Sequence, residues 1–194
     1  MLSQEIIMLR KMGFENDIKE VLLSEEDIRA KVREIAQRIT NDYKGMNPLM
    51  ICILRGAVPF FVDLCKCVED YLEMDFMQVS SYEDGMKSNG IVRIKKDIDK
   101  SIEGRHVIIV DDIMDSGNTL NHLTKLLKTR NPASLKIVCL LDKPKRRTCD
   151  ITPDYYGFIV PDEFVVGYGL DYADAYRNLP YIGILKPEVY SDEK

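Results

Sequence analysis

VIIVDDIMDSGNTL, residues 107–120, is the stretch from which the fold can be read. Four apolar residues, 107–110, run without a break into Asp111 and Asp112. An uninterrupted apolar run of this kind suits a strand buried on both faces, as in a parallel sheet covered by helices. A third carboxylate, Asp115, follows, and then a small polar turn, Ser116-Gly117-Asn118-Thr119. Leu120, Leu123, Leu126 and Leu127 then recur at helical spacing. The stretch reads as strand, loop and helix in direct succession.

The pattern repeats on both sides. Upstream, LMICIL (residues 49–54) is a second apolar run, turned by Arg55-Gly56. Pro59 then fits the first turn of a helix, where its missing N–H costs nothing. That helix is expected to run through Phe60, Phe61, Leu64, Cys65 and Val68 to about Leu72. Ser24 opens an earlier helix, with Asp27 three residues on in a capping-box arrangement. Its apolar positions are Ile28, Val32, Ile35, Ala36 and Ile39, and Gly45, Asn47 and Pro48 end it.

Residues 74–82 read as a strand, EDGMKSNG (83–90) as a mobile polar loop, and residues 91–94 as a returning strand, a hairpin-like excursion. Residues 97–105 are a connection. Residues 136–141 form a third buried strand, followed by the basic run KPKRR (143–147). From about residue 150 the chain mixes short strands and turns: YYGFIV, FVVGYGLDYADAYRNLP and YIGIL. Strand–helix alternation with doubly buried strands means an α/β parallel sheet. With no internal repeat and no linker, 194 residues read as one domain. Residues 1–23 carry no clear pattern, and the role of residues 1–16 is open.

At 45 % hydrophobic and 30 % charged residues the chain is not disordered. A net charge of −5 argues against a nucleic-acid-coating surface, so no nucleic-acid partner is expected. Cys52, Cys65, Cys67, Cys139 and Cys149 are odd in number and lack metal-site spacing, and Cys65-Lys66-Cys67 is no CxxC pair. They read as reduced thiols in a reducing compartment. No segment approaches the roughly 20 apolar residues of a membrane span. The first residues lack a signal-peptide core, and YSDEK at the end reads as no peroxisomal or lipidation signal. A cytoplasmic location without membrane partners is the expectation.

In an open α/β sheet, ligands sit beyond the carboxyl ends of the strands. Asp111 and Asp112 are expected at such an end, and residues 115–119 lead into a helix N-terminus, whose free N–H groups favour an anion. Gly117 lets the backbone curl, and the Ser116 and Thr119 hydroxyls add donors. A phosphate fits there. The two carboxylates would repel it, but they can accept hydrogen bonds from sugar hydroxyls or act through Mg²⁺. Together the two demands describe a ribose 5-phosphate. The chain holds no GxxxxGK[ST] motif, so this is not a P-loop.

The string resembles the phosphoribosyl-diphosphate-binding signature of the type I phosphoribosyltransferases. With LMICILRGAVPFF, VSSYEDGMKSNG, LLDKPKRR and FVVGYGLDYADAYRNLP, the chain is similar to the bacterial-type hypoxanthine-guanine phosphoribosyltransferase family, from about Ile18 to Leu185. The resemblance implies the type I fold: an α/β parallel sheet flanked by helices, a small hood subdomain built from the N- and C-terminal segments, and a flexible lid loop at about residues 82–91. It implies purine salvage. The 5-phosphoribosyl group of phosphoribosyl diphosphate would pass to N9 of hypoxanthine or guanine, giving IMP or GMP and pyrophosphate, with Mg²⁺ as cofactor. It also implies a homodimer or homotetramer.

The resemblance assigns roles residue by residue. Asp111 and Asp112 would hold the ribose hydroxyls, partly through Mg²⁺; the family commonly has Glu at the first of these. Asp115 would face purine N7 as general acid/base. Ser116, Gly117, Asn118 and Thr119 would cradle the 5′-phosphate. Lys143 would donate to the 6-oxo oxygen; an ammonium is a donor only, so it rejects the amino group of adenine. Phe164 and Ile113 would flank the base, and the Val165 backbone would meet its 2-position. Asp171 would bind Mg²⁺ near the purine and pyrophosphate, and Arg177 would neutralise the pyrophosphate. Leu54, Arg55 and Gly56 would form the pyrophosphate loop, with a non-proline cis peptide at Leu54-Arg55; relatives often have Lys where this chain has Arg55. Ser81 and Tyr82 would head the lid, which excludes water.

Plainer readings stand beside these. KPKRR alone reads as solvated surface, Phe164 as core, Asp171 as a turn cap and Arg177 as a surface ion-pairing residue. His106 and His122 read as incidental. A nucleic-acid-binding regulator of the same fold would need an extended basic face. The acidic charge and the presence of Asp115, Lys143 and Asp171 argue against it. A pyrimidine-directed enzyme is disfavoured by Lys143 with Phe164-Val165. The ranking of hypoxanthine, guanine and xanthine is not legible, nor is dimer against tetramer.

Overall fold

Runs of β-branched and other apolar residues, expected as doubly buried strands, form the centre of a six-stranded sheet. The computed structural model describes residues 16–81 and 92–191. The chain divides into two compact units, one of residues 31–162, the other of residues up to 30 and from 163 onward. The elements in chain order are β1 (Ile18–Leu23), α1 (Glu25–Asp42), β2 (Leu49–Leu54), α2 (Val58–Cys67), β3 (Glu73–Ser81) and β4 (Val92–Lys96). They continue with β5 (His106–Met114), α3 (Asn118–Lys128), β6 (Ser134–Asp142), a 3₁₀ turn (Pro144–Arg146), β7 (Tyr155–Ile159), β8 (Val165–Val166), β9 (Ile182–Leu185) and α4 (Pro187–Tyr190).

In the larger unit the strand order is β4-β3-β2-β5-β6-β7. All neighbours pair in parallel except β3 with β4, the expected hairpin-like excursion. Leu49, Ile51 and Ile53 of β2 join Val107 and Ile109 of β5, Ile137 and Cys139 of β6, and Leu120, Leu123 and Leu127 of α3 in one core. The intervening residues Met50, Cys52, Ile108 and Val110 are buried too, which is why these strands read as continuous apolar runs. The Ser24 box forms as expected: Asp27 N–H donates to Ser24 Oγ at 3.1 Å, and Ser24 N–H donates back to Asp27 Oδ2 at 3.1 Å.

Three expectations shift. Helix α2 stops at Cys67 rather than near Leu72. Val68 turns extended, Glu69 N–H donates to Thr40 Oγ1 (3.1 Å) and Asp70 accepts Gly45 N–H (2.6 Å), so the end of α1 captures the segment. Strand β4 reaches Lys96, whose ammonium donates to the carbonyls of Phe76 (3.0 Å) and Asp97 (2.9 Å). Strand β5 continues beyond Val110 through Asp111, Asp112 and Ile113 to Met114. The expected lid loop, with Tyr82, lies outside the described residues, as do residues 1–15.

The smaller unit holds a three-stranded antiparallel sheet, β1-β9-β8. Ile18, Val166, Tyr176, Leu179, Tyr181 and Leu185 form its core. Gly167 is required here: its φ is +99°, and a Cβ would lie 2.1 Å from the Tyr181 carbonyl oxygen. All five cysteines are free thiols. Among the described residues no helix is long and apolar enough to cross a membrane.

Candidate active site

The carboxyl end of β5 is paired on one side only. Strand β2 accompanies it as far as Val110, opposite Cys52, whereas β6 accompanies it to Met114, opposite Asp142. Asp111 and Asp112 therefore lie within the strand, not past it, at the level where β2 is no longer paired with it. Their own carboxylates take up nearby donors: Asp112 N–H donates to Asp111 Oδ1 (3.1 Å) and Ile113 N–H to Asp112 Oδ1 (2.7 Å). Asp111 keeps some surface, yet enough protein surrounds its carboxyl that burial, and then the Asp112 charge, hold its pKa well above the usual carboxylate range. The same setting pushes the Cys52 thiol up to about 12, first by burial and then by Asp111 and Asp112.

Beyond Met114 the chain turns through Asp115 and Ser116 to Gly117, the N-cap of α3, with φ +83°. Gly117 brings no side-chain cap, and the Asn118 N–H donates only at long range, 3.4 Å, to Ser116 Oγ; a helix start of this kind favours an anion. The loop rests on the segment after β6. Thr148 N–H donates to the Ser116 carbonyl (3.0 Å), and Thr148 Oγ1 donates to Asn118 Oδ1 (3.1 Å). A Cβ at Gly117 would meet Ile151 Cγ2 at 2.7 Å and Arg147 Cδ at 2.8 Å. Arg146 Nε lies 2.6 Å from Asp115 Oδ1, an ion pair by distance, although no donor hydrogen is aligned on that buried oxygen.

Lys143 is not solvated surface, as the basic run alone suggests. It is 8 % exposed, and its backbone N–H donates to the Met114 carbonyl at 3.0 Å, beside the end of β5. Leu54, Arg55 and Gly56 form the turn after β2, with Val58 N–H donating to the Arg55 carbonyl (3.2 Å). The Leu54–Arg55 peptide is cis, as the resemblance implies. Ser81 closes β3. Within this unit the structure thus gathers residues 54–56, 111–119 and Lys143 around the carboxyl ends of β2, β5 and β6.

In the smaller unit, Phe164 is 37 % exposed rather than core. Tyr190 stacks on its ring at 5.0 Å and 26°, and Tyr172 meets it edge-on at 5.5 Å. Val165 pairs with Ile184 in the sheet. Asp171 does cap a turn, accepting Asp174 N–H at 2.9 Å, and also pairs with Arg177 at 2.7 Å. Arg177 further reaches Asp174 (3.2 Å) and donates to the Gly169 carbonyl (2.9 Å). Both expected pyrophosphate-side residues are therefore held by one another here.

A phosphoribosyl transferase domain model matches residues 20–173. The chain belongs to the phosphoribosyl transferase family. It is 57 % identical over 177 residues to the bifunctional protein TilS/HprT of Listeria monocytogenes (serotype 4b, strain F2365), covering 91 % of this chain but 27 % of that protein's length. It is 56 % identical over 175 residues to the hypoxanthine-guanine phosphoribosyltransferase of Bacillus subtilis (strain 168), covering 90 % and 97 %. A crystal structure of a hypoxanthine phosphoribosyltransferase from Staphylococcus aureus superposes with a TM-score of 0.90 at 52 % identity, over 93 % of this chain and 98 % of that one.

For a phosphoribosyl transferase, the donor chemistry at β5 bears on the metal. Among the described residues no three His, Cys, Asp or Glu side chains gather into a metal site. Two adjacent carboxylates still fit a hard divalent cation that keeps waters and takes substrate oxygens. The raised pKa of Asp111 fits as well: burial, and then the Asp112 charge, penalise its carboxylate, and a cation offsets both. Sequence reasoning missed Arg146, Arg147 and Asp142 beside the loop, and Tyr190 beside Phe164. The only signal for the former was an acid and two arginines bracketing a proline in DKPKRR. Nothing local pointed to Tyr190.

Proposed function

We propose that this phosphoribosyl transferase is a purine-salvage enzyme: it moves the 5-phosphoribosyl group from phosphoribosyl diphosphate to N9 of hypoxanthine or guanine. The observation that carries this reading is the joint placement of two strand-borne carboxylates, a glycine-capped helix N-terminus and a buried lysine at one sheet end, in a chain of this family. The N9–C1′ bond forms as the C1′–oxygen bond to pyrophosphate breaks. The base loses a proton, and Asp115, at N7, is the group that takes it.

Residues 116–119 hold the 5′-phosphate through α3 amides and hydroxyls. Asp111 and Asp112 accept hydrogen bonds from the ribose hydroxyls and would act there partly through Mg²⁺, and Asp171 would hold Mg²⁺ near the pyrophosphate. Bound there, Mg²⁺ would screen the charge building on the departing pyrophosphate. Lys143 donates to the 6-oxo oxygen, which excludes adenine. Ile113 and Phe164 supply apolar faces for the base, and the Val165 backbone meets its 2-position. Leu54-Arg55-Gly56 and Arg177 receive the pyrophosphate; for Arg177 this means leaving its Asp171 and Asp174 pairs. Ser81 and Tyr82 head a lid over an electron-poor C1′ that water would otherwise attack. The chain acts as one phosphoribosyltransferase domain, in the cytoplasm, as a homodimer or homotetramer.

The test incubates the protein with Mg²⁺, phosphoribosyl diphosphate and, separately, hypoxanthine, guanine, xanthine, adenine and uracil, beside Asp115→Asn. Nucleotide from the 6-oxopurines but not adenine is expected, with kcat about 10²–10⁴-fold lower in the variant. Phosphoribosyl-diphosphate binding without turnover of any base would sink the enzyme reading and leave a ligand-sensing one.

A further inference from the structure

Resting on that reading, we propose that Arg147, held by Asp142, is a positioning residue that sets the backbone from which Asp115 and the phosphate loop act. The Arg147 side chain is only 12 % exposed and that of Asp142 10 %. Arg147 Nη2 donates to Asp142 Oδ1. Its Nη1 donates to two successive carbonyls, Met114 at 3.0 Å and Asp115 at 2.5 Å. One guanidinium thus grips the backbone where β5 ends and the loop begins. The same residue walls the loop from below, with Cδ 2.8 Å from where a Gly117 Cβ would stand. Its neighbour Thr148 adds the hydrogen bond to the Ser116 carbonyl.

Stability alone is a poor account of this pair. Burying an ion pair is often neutral or worse than filling the space with apolar side chains. What a guanidinium supplies is a planar fork with donors in fixed directions, able to hold a carboxylate and carbonyls at once. The Asp115 carbonyl belongs to the peptide whose N–H is that of Ser116. Holding the carbonyl therefore fixes that peptide plane, and with it the direction of the amide entering the phosphate turn. Asp142 sits at the end of β6, in register with Met114, so the fork is aimed from the sheet itself. A lysine offers one point of charge and cannot make the same three contacts.

Arg147→Lys tests this in the full-length chain, with Asp142→Asn as the second variant. Two readouts apply: steady-state kinetics with hypoxanthine well below each variant's Tm, and hydrogen exchange of the peptide covering residues 114–121. We expect kcat about 10²-fold lower in Arg147→Lys, with KM for hypoxanthine changed far less, because small displacements of reacting groups cost that much. Exchange of residues 114–121 should rise, while β2 and β6 keep their protection. Asp142→Asn, which keeps the carbonyl contacts, should lose less than Arg147→Lys. A merely structural pair would lower Tm yet leave kcat and loop exchange at wild-type values, and that result overturns the proposal. Wild-type inactivity on every base would defeat the functional reading alone; loop exchange then decides, and unchanged exchange refutes the positioning role.

Discussion

Gly117→Ala probes the floor of the phosphate loop with a single carbon atom. Two costs are separable. The first is conformational: φ is +83°, and a side chain in that region costs about 1 kcal/mol. The second is steric. The new Cβ would lie 2.7 Å from Ile151 Cγ2, 2.8 Å from Arg147 Cδ and 3.2 Å from Cys149 Sγ. Overpacking of this kind costs about 1–3 kcal/mol, so the total is roughly 2–4 kcal/mol. Gly104→Ala is the internal control: its φ is +69°, with nothing within 4 Å of the added atom. It pays the first cost alone, about 1 kcal/mol. The entropy lost from the unfolded chain is common to both and cancels in the difference. Parallel urea titrations should place Gly117→Ala about 1–3 kcal/mol below Gly104→Ala. At a few degrees per kcal/mol for a chain this long, its Tm should fall by roughly 6–12 °C. Equal stabilities would refute the reasoning, because they would mean the segment after β6 yields freely and does not hold the loop.

Three further outcomes follow from other parts of the molecule. Burial pushes the thiols of Cys52 and Cys65 up to about 12 and that of Cys139 well above its usual value, so these stay neutral at pH 8; a chromogenic disulfide reagent should label them only after unfolding, and rapid labelling of more than two thiols in native protein would contradict this. Arg130, and then backbone and Lys96 interactions working against burial, hold Asp97 below the usual carboxylate range. A depressed pKa adds stability that is present above the unfolded value near 4 and lost as pH falls through the folded one. Arg130→Gln should therefore be less stable at pH 7 by at most about 1 kcal/mol, with the gap to wild type closing in acid; a gap independent of pH would assign the effect to packing. Tyr190→Ala removes a stacked neighbour of Phe164, and an aromatic pair worth about 0.5–1.5 kcal/mol predicts a two- to twelve-fold rise in KM for hypoxanthine. An unchanged KM would show that the stack does not steady the Phe164 ring.

Legibility in the sequence tracked how local each cause was. LMICIL and VIIV were readable because burial on both faces leaves no polar residue in the run. Ser24 and Asp27 were readable because a capping box is complete within four residues. The continuation of β5 through two aspartates was not, since Asp disfavours strands and the pairing that overrides it comes from β6, far along the chain. The basic run misled for the same reason. The Arg147 side chain is drawn inward by the carbonyls of Met114 and Asp115, and the Lys143 backbone N–H is tied to the Met114 carbonyl, about thirty residues earlier. At the site itself, residue chemistry pointed to a phosphate turn and hydroxyl acceptors, whereas the roles of Lys143, Phe164, Asp171 and Arg177 came only with the family resemblance.

The early departure of β2 from the side of β5 has a wider meaning for how such a sheet acquires a cavity at all. Were β2 to keep its register with β5, Ile53 and Leu54 would lie opposite Asp111 and Asp112, and the two aspartates would be sealed into continuous sheet. The recess is thus made by divergence: β2 stays paired with β3 through Leu54 but parts from β5 after Cys52, and β5, still backed by β6, is left as a half-clad ledge. Such a ledge is a strand edge in the middle of a sheet, the kind of surface that elsewhere invites another strand, and here its Asp112 and Ile113 amides are taken by the neighbouring carboxylates. Negative charge along it discourages a passing peptide, whereas a hydroxyl-rich ligand meets acceptors already in place. In this chain the point at which a strand that carries none of the acidic groups parts from its neighbour decides whether those groups can be reached.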